Sequence, residues 1–367
     1  MKILLIGEAS YVHNTLKAGL RQLGHEVTHA SDGNNWHNSP RDIDLRRDMR
    51  WGWLSGLWVL WQLWRHRRQF MGNDVVQVHN YFFLPLRPRW SYWLMRWLRR
   101  HNKIIVKGCW GDDPQVMRSQ AMGLPRYNDT HVNGVAINVE ENRERVAEQE
   151  LKECQETWLK VTQCADALVP CLYEYFINYD VEPFRQRLHY IPLPIEIPEN
   201  PDVKGRGDKI MVLVGVQPDR DYTKGANIMC QWVEQVARES NGRVVVKRVE
   251  SVPYDEYCRL LDEADVLVDQ LYSYTPSMNS LAAMARGTVV IGGGEEEYYD
   301  FIGEKELRPI INMRPGCDEE NLQTLRRALL VPGRIEDLSR QSIAFVRRHH
   351  DHIKVSRMYE RLYSELS

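Results

Sequence analysis

The sequence predicts an α/β protein built as two Rossmann-like, doubly wound parallel-sheet domains. Three observations predict it. Short apolar runs that end in glycine or polar residues alternate with amphipathic stretches along the whole chain. The 367 residues are too many for one typical domain and suit two of about 180 each. Between the two series lies Ile-Pro-Leu-Pro-Ile-Glu-Ile-Pro, residues 191–198, with Pro201 beyond; four prolines in eleven residues make an extended, semi-rigid connector. The expected layout is a first domain over 1–192, a hinge over 193–206, a second domain over 207–340 and a closing helical stretch over 341–367.

Composition narrows the classes. A net charge of −2, 43% hydrophobic residues and a mean hydropathy of −0.50 describe a soluble globular protein. No apolar run reaches the roughly 18 residues that a membrane-spanning helix needs. Met1-Lys-Ile-Leu-Leu-Ile6 pairs a basic residue with an apolar run, but Gly7-Glu8 ends it too soon for a signal peptide. It reads as a first strand. The seven cysteines, scattered from Cys109 to Cys317, show no metal or redox spacing, which fits reduced thiols in a cytoplasm.

In order, the first domain opens with a strand over 2–6, a turn at Gly7-Glu-Ala-Ser10, a helix over about 13–23 and Gly24 as its stop. Gly7 permits close backbone approach, but the full Gly-x-Gly-x-x-Gly fingerprint of dinucleotide binding is absent. Further strands are expected at 26–28, 74–78 and 103–106, the last two ending in His79-Asn80 and Gly108-Cys-Trp-Gly-Asp-Asp113. In open parallel sheets such carboxyl-end loops hold ligands.

Between these strands the composition shifts. Residues 41–103 carry thirteen Lys/Arg against four Asp/Glu, and eight of the 12 tryptophans. Two helices are expected, about 51–70 and 89–101. Leu54, Leu57, Trp58, Trp61 and Trp64 recur at helical spacing and run into Arg65; Trp90, Trp93, Leu94 and Trp97 repeat the device. Tryptophan and arginine together suit the headgroup layer of an anionic membrane, and place Trp58, Trp61, Trp64 and Arg65 at a membrane or acceptor surface. The alternative is that both helices cover the sheet, Trp inward and Arg snorkelling out. Residues 140–160 read as a solvated, ion-paired helix, and 165–169 as another buried strand.

The second domain repeats the plan: a strand over 209–214 ending in Gly215, a loop with Gln217, Arg220 and Lys224, a helix over about 227–238, a strand over 243–247 and a helix over about 254–262. Next come a strand over 266–268, a loop over 272–276, a helix over 279–285 capped by Ser277 or Thr275, and a strand over 288–291 running into Gly292-Gly-Gly294. A helix N-terminus offers free amide groups to a phosphate. An Arg and a Lys on the same sheet edge would supply counter-charge to a pyrophosphate without a metal. Residues 339–366 read as one long helical stretch. With a pI of about 6.6, nucleic-acid binding is not expected.

These residues resemble the GT-B fold glycosyltransferases, within them the retaining nucleotide-sugar enzymes of bacterial surface-glycan synthesis. The likeness is carried by Leu213-Val-Gly215 through Lys224-Gly225, by Ala264-Asp-Val-Leu-Val268 and by Leu281-Ala-Ala-Met-Ala-Arg-Gly287-Thr-Val-Val290. It implies an interdomain cleft, a C-terminal helix returning to the first domain, a nucleotide-diphosphate sugar donor as co-substrate and no metal. Arg220 and Lys224 would neutralise the leaving diphosphate, and the amides of Ser277, Met278 and Asn279 would hold its oxygens, with the Gly7 loop opposite. Gly215, Gln217, Lys247, Tyr274 and Glu297 complete the candidate donor set; His79 and Asp113 are candidates near the acceptor. The acceptor would be lipid-linked or another surface glycan, at the inner face of the cytoplasmic membrane. Three departures stand out: Tyr274 and Ala282 occupy the positions of the family's Glu-x7-Glu pair, Trp110 replaces a histidine, and Val216 replaces an arginine. Two alternatives stay open: a nucleotide-sugar epimerase of the same fold, or a catalytically degenerate binding subunit.

Overall fold

The structure, a computed structural model, describes residues 1–33 and 38–367. The chain divides into two compact units: Met1–Ser119, Asn142–Pro194 and His352–Ser367 form the first, Gln120–Glu141 and Ile195–Asp351 the second.

In chain order the first unit runs β1 (Lys2–Ile6), α1 (Val12–Gln22), β2 (Glu26–Ser31), β3 (Ile43–Asp44), α2 (Leu54–Arg65), β4 (Val75–Val78), α3 (Pro88–His101), β5 (Ile104–Gly108) and α4 (Pro114–Ala121). A hairpin of β6 (His131–Val132) and β7 (Val135–Ala136) follows, then α5 (Val139–Glu150), α6 (Lys152–Cys164), β8 (Ala167–Val169) and α7 (Tyr173–Tyr179). Six strands form one parallel sheet in the order β3-β2-β1-β4-β5-β8. Its central strands are buried throughout, which is why they read as unbroken apolar runs and not as alternating ones. The charged stretch expected as one solvated helix is two, because Leu151 is extended (ψ 133°); α6 buries Cys154, Trp158 and Val161.

The two Trp/Arg stretches differ in how much of their apolar surface they bury. Helix α3 covers the sheet as an ordinary amphipathic helix, burying Ser91, Leu94, Met95 and Leu98. Helix α2 turns Ser55, Val59 and Gln62 inward and leaves Leu54, Leu57, Trp58, Trp61 and Trp64 exposed. A core role for the tryptophans of α2 is therefore corrected: periodicity finds an apolar stripe but does not say which way it points.

The second unit runs β9 (Ile210–Val216), α8 (Asp221–Lys224), α9 (Ala226–Glu239), β10 (Val244–Glu250), α10 (Tyr254–Glu263), β11 (Val266–Val268), α11 (Met278–Ala285), β12 (Val289–Gly292), α12 (Glu296–Phe301), β13 (Ile311–Asn312), α13 (Asp318–Leu329) and α14 (Arg334–His349). Its sheet is parallel in the order β10-β9-β11-β12-β13. The last expected helix is also two. His350 leaves the helix, where its carbonyl accepts from Ile195 N–H at 2.7 Å, and α15 (His352–Glu365) belongs to the first unit. There α15 lies against α1, with Gly19 so close that a Cβ would stand 2.1 Å from Ser356 Oγ.

Candidate functional site

In each sheet the strand order reverses beside the unit's first strand, β1 or β9. Open α/β sheets bind ligands at the carboxyl ends of strands at such switch points. In the second unit the two loops flanking that point are the one after β9, with Arg220 and Lys224, and the one after β11. They are tied together. Leu271 N–H donates to Lys224 O at 2.7 Å, and Gly225, in the left-handed region (φ 67°), lets the Leu271 side chain pack against it. Asp221 accepts from Asn227 N–H at 3.1 Å and from its side-chain amide at 2.9 Å, starting α9.

The hub is Asp269, at the end of β11. Its carboxylate is buried and lies 3.5 Å from Lys224 Nζ. It also accepts from the hydroxyls of Ser277 and Ser280. Ser277 is the N-cap of α11, its Oγ accepting from Ser280 N–H at 3.2 Å, which settles the choice between Ser277 and Thr275. Lys224, Ser277 and the first turn of α11 are thus held on one carboxylate, which sequence reading passed over as a strand terminus. Met278 and Asn279 lie in that first turn, where a helix offers its amides no carbonyl partner. Arg220 is exposed, and among the described residues no carboxylate pairs with it. A buried anion that orients a lysine, beside an unpaired arginine and a helix N-terminus, can receive a diphosphate.

Gly215 and Asn279 meet through a residue that spacing did not flag. The Tyr257 ring lies over Gly215, where a Cβ would approach it to 3.2 Å, and its hydroxyl bonds the Asn279 side chain at 2.9 and 3.2 Å. Gln217 sits where β9 gives way to the loop. Lys247, on the edge strand β10, faces Glu263 at 3.9 Å and not this group.

The loops after β11 and β12 meet the segment Gln120–Glu141. Tyr274 is buried, its ring stacked on Tyr127 with centroids 4.5 Å apart. The Tyr127 hydroxyl donates to Glu295 Oε1 at 2.9 Å. Glu295 also takes Arg314 Nε at 2.8 Å and Asn312 Nδ2 at 2.8 Å. Burial alone would push this carboxyl up; donation from Arg314, Asn312 and Tyr127 holds it below the usual range. Glu297 accepts from Arg126 at 2.5 Å, and Glu296 from Arg308 at 3.0 Å. Glu297 of the candidate donor set and its neighbours Glu295 and Glu296 are thus all engaged by arginines. The glycines before them serve packing: a Cβ on Gly293 would fall 2.1 Å from Ser273 O.

In the first unit the turn after β1 is built on Gly7. Its φ is 81°, and a Cβ would stand 2.0 Å from His79 Nδ1, so no other residue fits. Gly7 O bonds His13 Nδ1 at 2.7 Å and His29 Nε2 at 3.1 Å. Glu8 turns inward and accepts from the backbone N–H groups of Ala9, His13 and Asn14. Its burial outweighs those bonds and pushes it up to about 7. His29 and His79 are each brought down to about 4 by burial, and His13 well below its usual value, so this edge carries neutral imidazoles. Among the described residues the buried Nδ1 of His79 has no hydrogen-bond partner.

Asp113 stands elsewhere, fully buried. It caps α4 through Gln115 and Val116 N–H at 2.9 Å, accepts from the Tyr179 hydroxyl, and lies 3.7 Å from the buried Lys107 Nζ. Trp110 is buried too, its indole donating to Val169 O at 2.9 Å. Trp58, Trp61, Trp64 and Arg65 lie together on α2.

No protein-family model matches the chain, and no curated relative does. Solved structures do. The chain is similar to sucrose-phosphate synthase from Thermosynechococcus elongatus, at 14% identity and a TM-score of 0.59 over 100% of this chain and 99% of that one. It is similar to the lipopolysaccharide outer core galactosyltransferase WaaB in its apo form, at 12% identity and 0.55 over 100% of both chains. It is also similar to Anabaena HepE in complex with UDP and glucose, at 10% identity and 0.58 over 100% of both. Across their whole length these two parallel-sheet units, with the C-terminal helix in the first, have the GT-B fold of those glycosyltransferases.

Proposed function

We propose that the protein is a glycosyltransferase that moves a sugar from a nucleotide-diphosphate donor to a lipid-linked or other surface-glycan acceptor, with retention and without a metal. The observation that carries this is the group Lys224–Asp269–Ser277 at the start of α11, with Arg220, which no carboxylate among the described residues pairs with, in the same loop as Lys224. HepE, of the same fold, is seen with UDP-glucose. In transfer, the bond from the anomeric carbon to the diphosphate oxygen breaks and its electron pair leaves on the diphosphate. The acceptor oxygen bonds the same face of that carbon, and its proton passes to the leaving phosphate. Arg220, Lys224 and the amides of Met278 and Asn279 stabilise the developing negative charge. His79, at the Gly7 turn of the first unit, is the candidate on the acceptor side. The enzyme works from the cytoplasm, at the inner face of the cytoplasmic membrane.

Binding and turnover of a panel of nucleotide sugars, wild type against Lys224→Ala, tests the reading. Loss of both in the variant is expected. Absence of binding to every donor, or an unaffected variant, sinks it. A second reading has its own support, since Tyr274 is covered by Tyr127 and Glu295, Glu296 and Glu297 are all paired. A non-catalytic subunit would bind nucleotide and turn over only when a partner is added.

A further inference from the structure

We propose that the outward face of α2 docks on an anionic lipid membrane, with its tryptophans in the headgroup layer and its arginines on lipid phosphates. This names the surface for the membrane location proposed above and rests on that location, not on the chemistry of transfer. Helix α2 leaves more of its large apolar side chains exposed than it buries. Its polar positions serve the protein: Gln62 Nε2 donates to Asp44 O at 3.2 Å, and Ser55 Oγ to Gly52 O at 2.6 Å. Val59 is buried and Leu60 and Leu63 pack partly buried on the same core, while Trp58 is 49%, Trp61 40% and Trp64 64% exposed. Just before the helix, Trp53 is 74% exposed. A patch of this kind marks an interaction surface.

The chemistry of the face selects the partner. Tryptophan, an apolar ring with one N–H donor, is the residue that settles at a membrane–water interface. Trp58 and Trp61 are stacked, centroids 4.9 Å apart, which presents a preformed flat plate. Arg65 lies 5.1 Å over the Trp61 ring and Arg67 4.9 Å over that of Trp64. Among the described residues no carboxylate pairs with Arg65, Arg67 or Arg68, and the sequence holds no acid between Asp48 and Asp74. A positive rim around an interfacial apolar plate complements anionic headgroups. A second copy fits worse, since a two-fold pairing would set cationic rims together with no acid on the face to answer them. Among the described residues no helix is long and apolar enough to cross a membrane, so the contact proposed is one of surface, not of span.

The test is flotation of the full chain with phosphatidylcholine vesicles and with vesicles that also contain phosphatidylglycerol. Wild type is compared with Trp58→Ala/Trp61→Ala and with Arg65→Glu/Arg67→Glu. Wild type is expected to float with the anionic vesicles only. Each variant is expected to lose about tenfold or more in partition, with unchanged unfolding midpoint and unchanged nucleotide binding. Failure of wild type to float, or flotation of both variants like wild type, overturns the proposal whatever the outcome of the transfer assay. A wild-type dimer in light scattering that the Trp variant abolishes, with no flotation, also overturns it and assigns the face to a second copy.

Discussion

The Tyr127 ring lies on the Tyr274 ring with centroids 4.5 Å apart and 28° between planes, and both side chains are buried. One of the pair comes from the segment Gln120–Glu141, the other from the loop after β11, more than a hundred residues on in the chain. Hydrogen bonds reinforce the stack: Tyr127 to Glu295 at 2.9 Å, and Asn138 Nδ2 to Tyr222 O at 2.9 Å. Tyr127→Phe keeps the stack and removes one donor from a buried carboxylate that retains Arg314 and Asn312. The expected cost is about 1–2 kcal/mol. Tyr127→Ala also removes the ring and should cost about 3–5 kcal/mol. Urea unfolding of both variants measures the difference; equal values would mean that the stack contributes nothing.

Why the sequence hid this contact is physical. The parallel strands were legible because burial on both faces turns them into apolar runs such as Leu4-Leu5-Ile6 and Val212-Leu213-Val214. The segment Gln120–Glu141 has no such run. Its strands are two residues each, and Val135 between its turns is 67% exposed. The Ser277 cap and the Lys224 loop were legible from type and position. Asp269 was not, because an acid at a strand end looks the same whether it faces water or gathers a lysine and two serines. The inward turn of Ser55, Val59 and Gln62 on α2 was invisible for the matching reason: a helical period fixes a stripe, not its direction.

Arg220 and Lys224 should separate in a paired experiment. Arg220 is exposed and unpaired among the described residues, so Arg220→Ala should leave the unfolding midpoint unchanged and weaken nucleoside diphosphate binding about tenfold. Lys224→Ala strips a buried carboxylate of its cation and should lower both, with stability falling by about 1–3 kcal/mol. Calorimetric titration with UDP, alongside thermal unfolding, reads the two effects. An Arg220→Ala variant that binds as tightly as wild type removes that residue from the site.

The Glu8 carboxyl gives a pH dependence whose sign follows from its burial. Its folded value is about 7, against 4.5 for the unfolded chain, so the neutral form is the one the fold prefers. The contribution is fully present below about 4.5 and is lost as pH rises through about 7. Glu8→Gln mimics the neutral form and escapes the loss. The variant should therefore gain on wild type as pH goes from 5 to 8, by up to about 3 kcal/mol. Urea midpoints across that range check it, and a constant gap would mean that the backbone donors from Ala9, His13 and Asn14 keep Glu8 ionised throughout.

Asp113 stands among the acceptor-side acids by its place in the sequence, and its side chain is fully buried in the first unit. It caps α4, takes the Tyr179 hydroxyl and balances Lys107, whose side chain is also fully buried. Tyr179 in turn accepts from Trp158 Nε1 at 2.8 Å and from Lys107 Nζ at 3.1 Å, so three elements converge on one hydroxyl. Removing one partner of a buried ion pair costs about 3–5 kcal/mol, because the other charge is left in the interior. Asp113→Ala should therefore lower the unfolding free energy by that amount, and Tyr179→Phe by about 1–3 kcal/mol. For a structural acid, whatever activity is lost should track the fraction folded and return at lower temperature. A catalytic acid would behave in the opposite way, losing kcat with the midpoint unmoved. Thermal unfolding and turnover measured on the same Asp113→Ala preparation distinguish the two, and the geometry places the weight on stability.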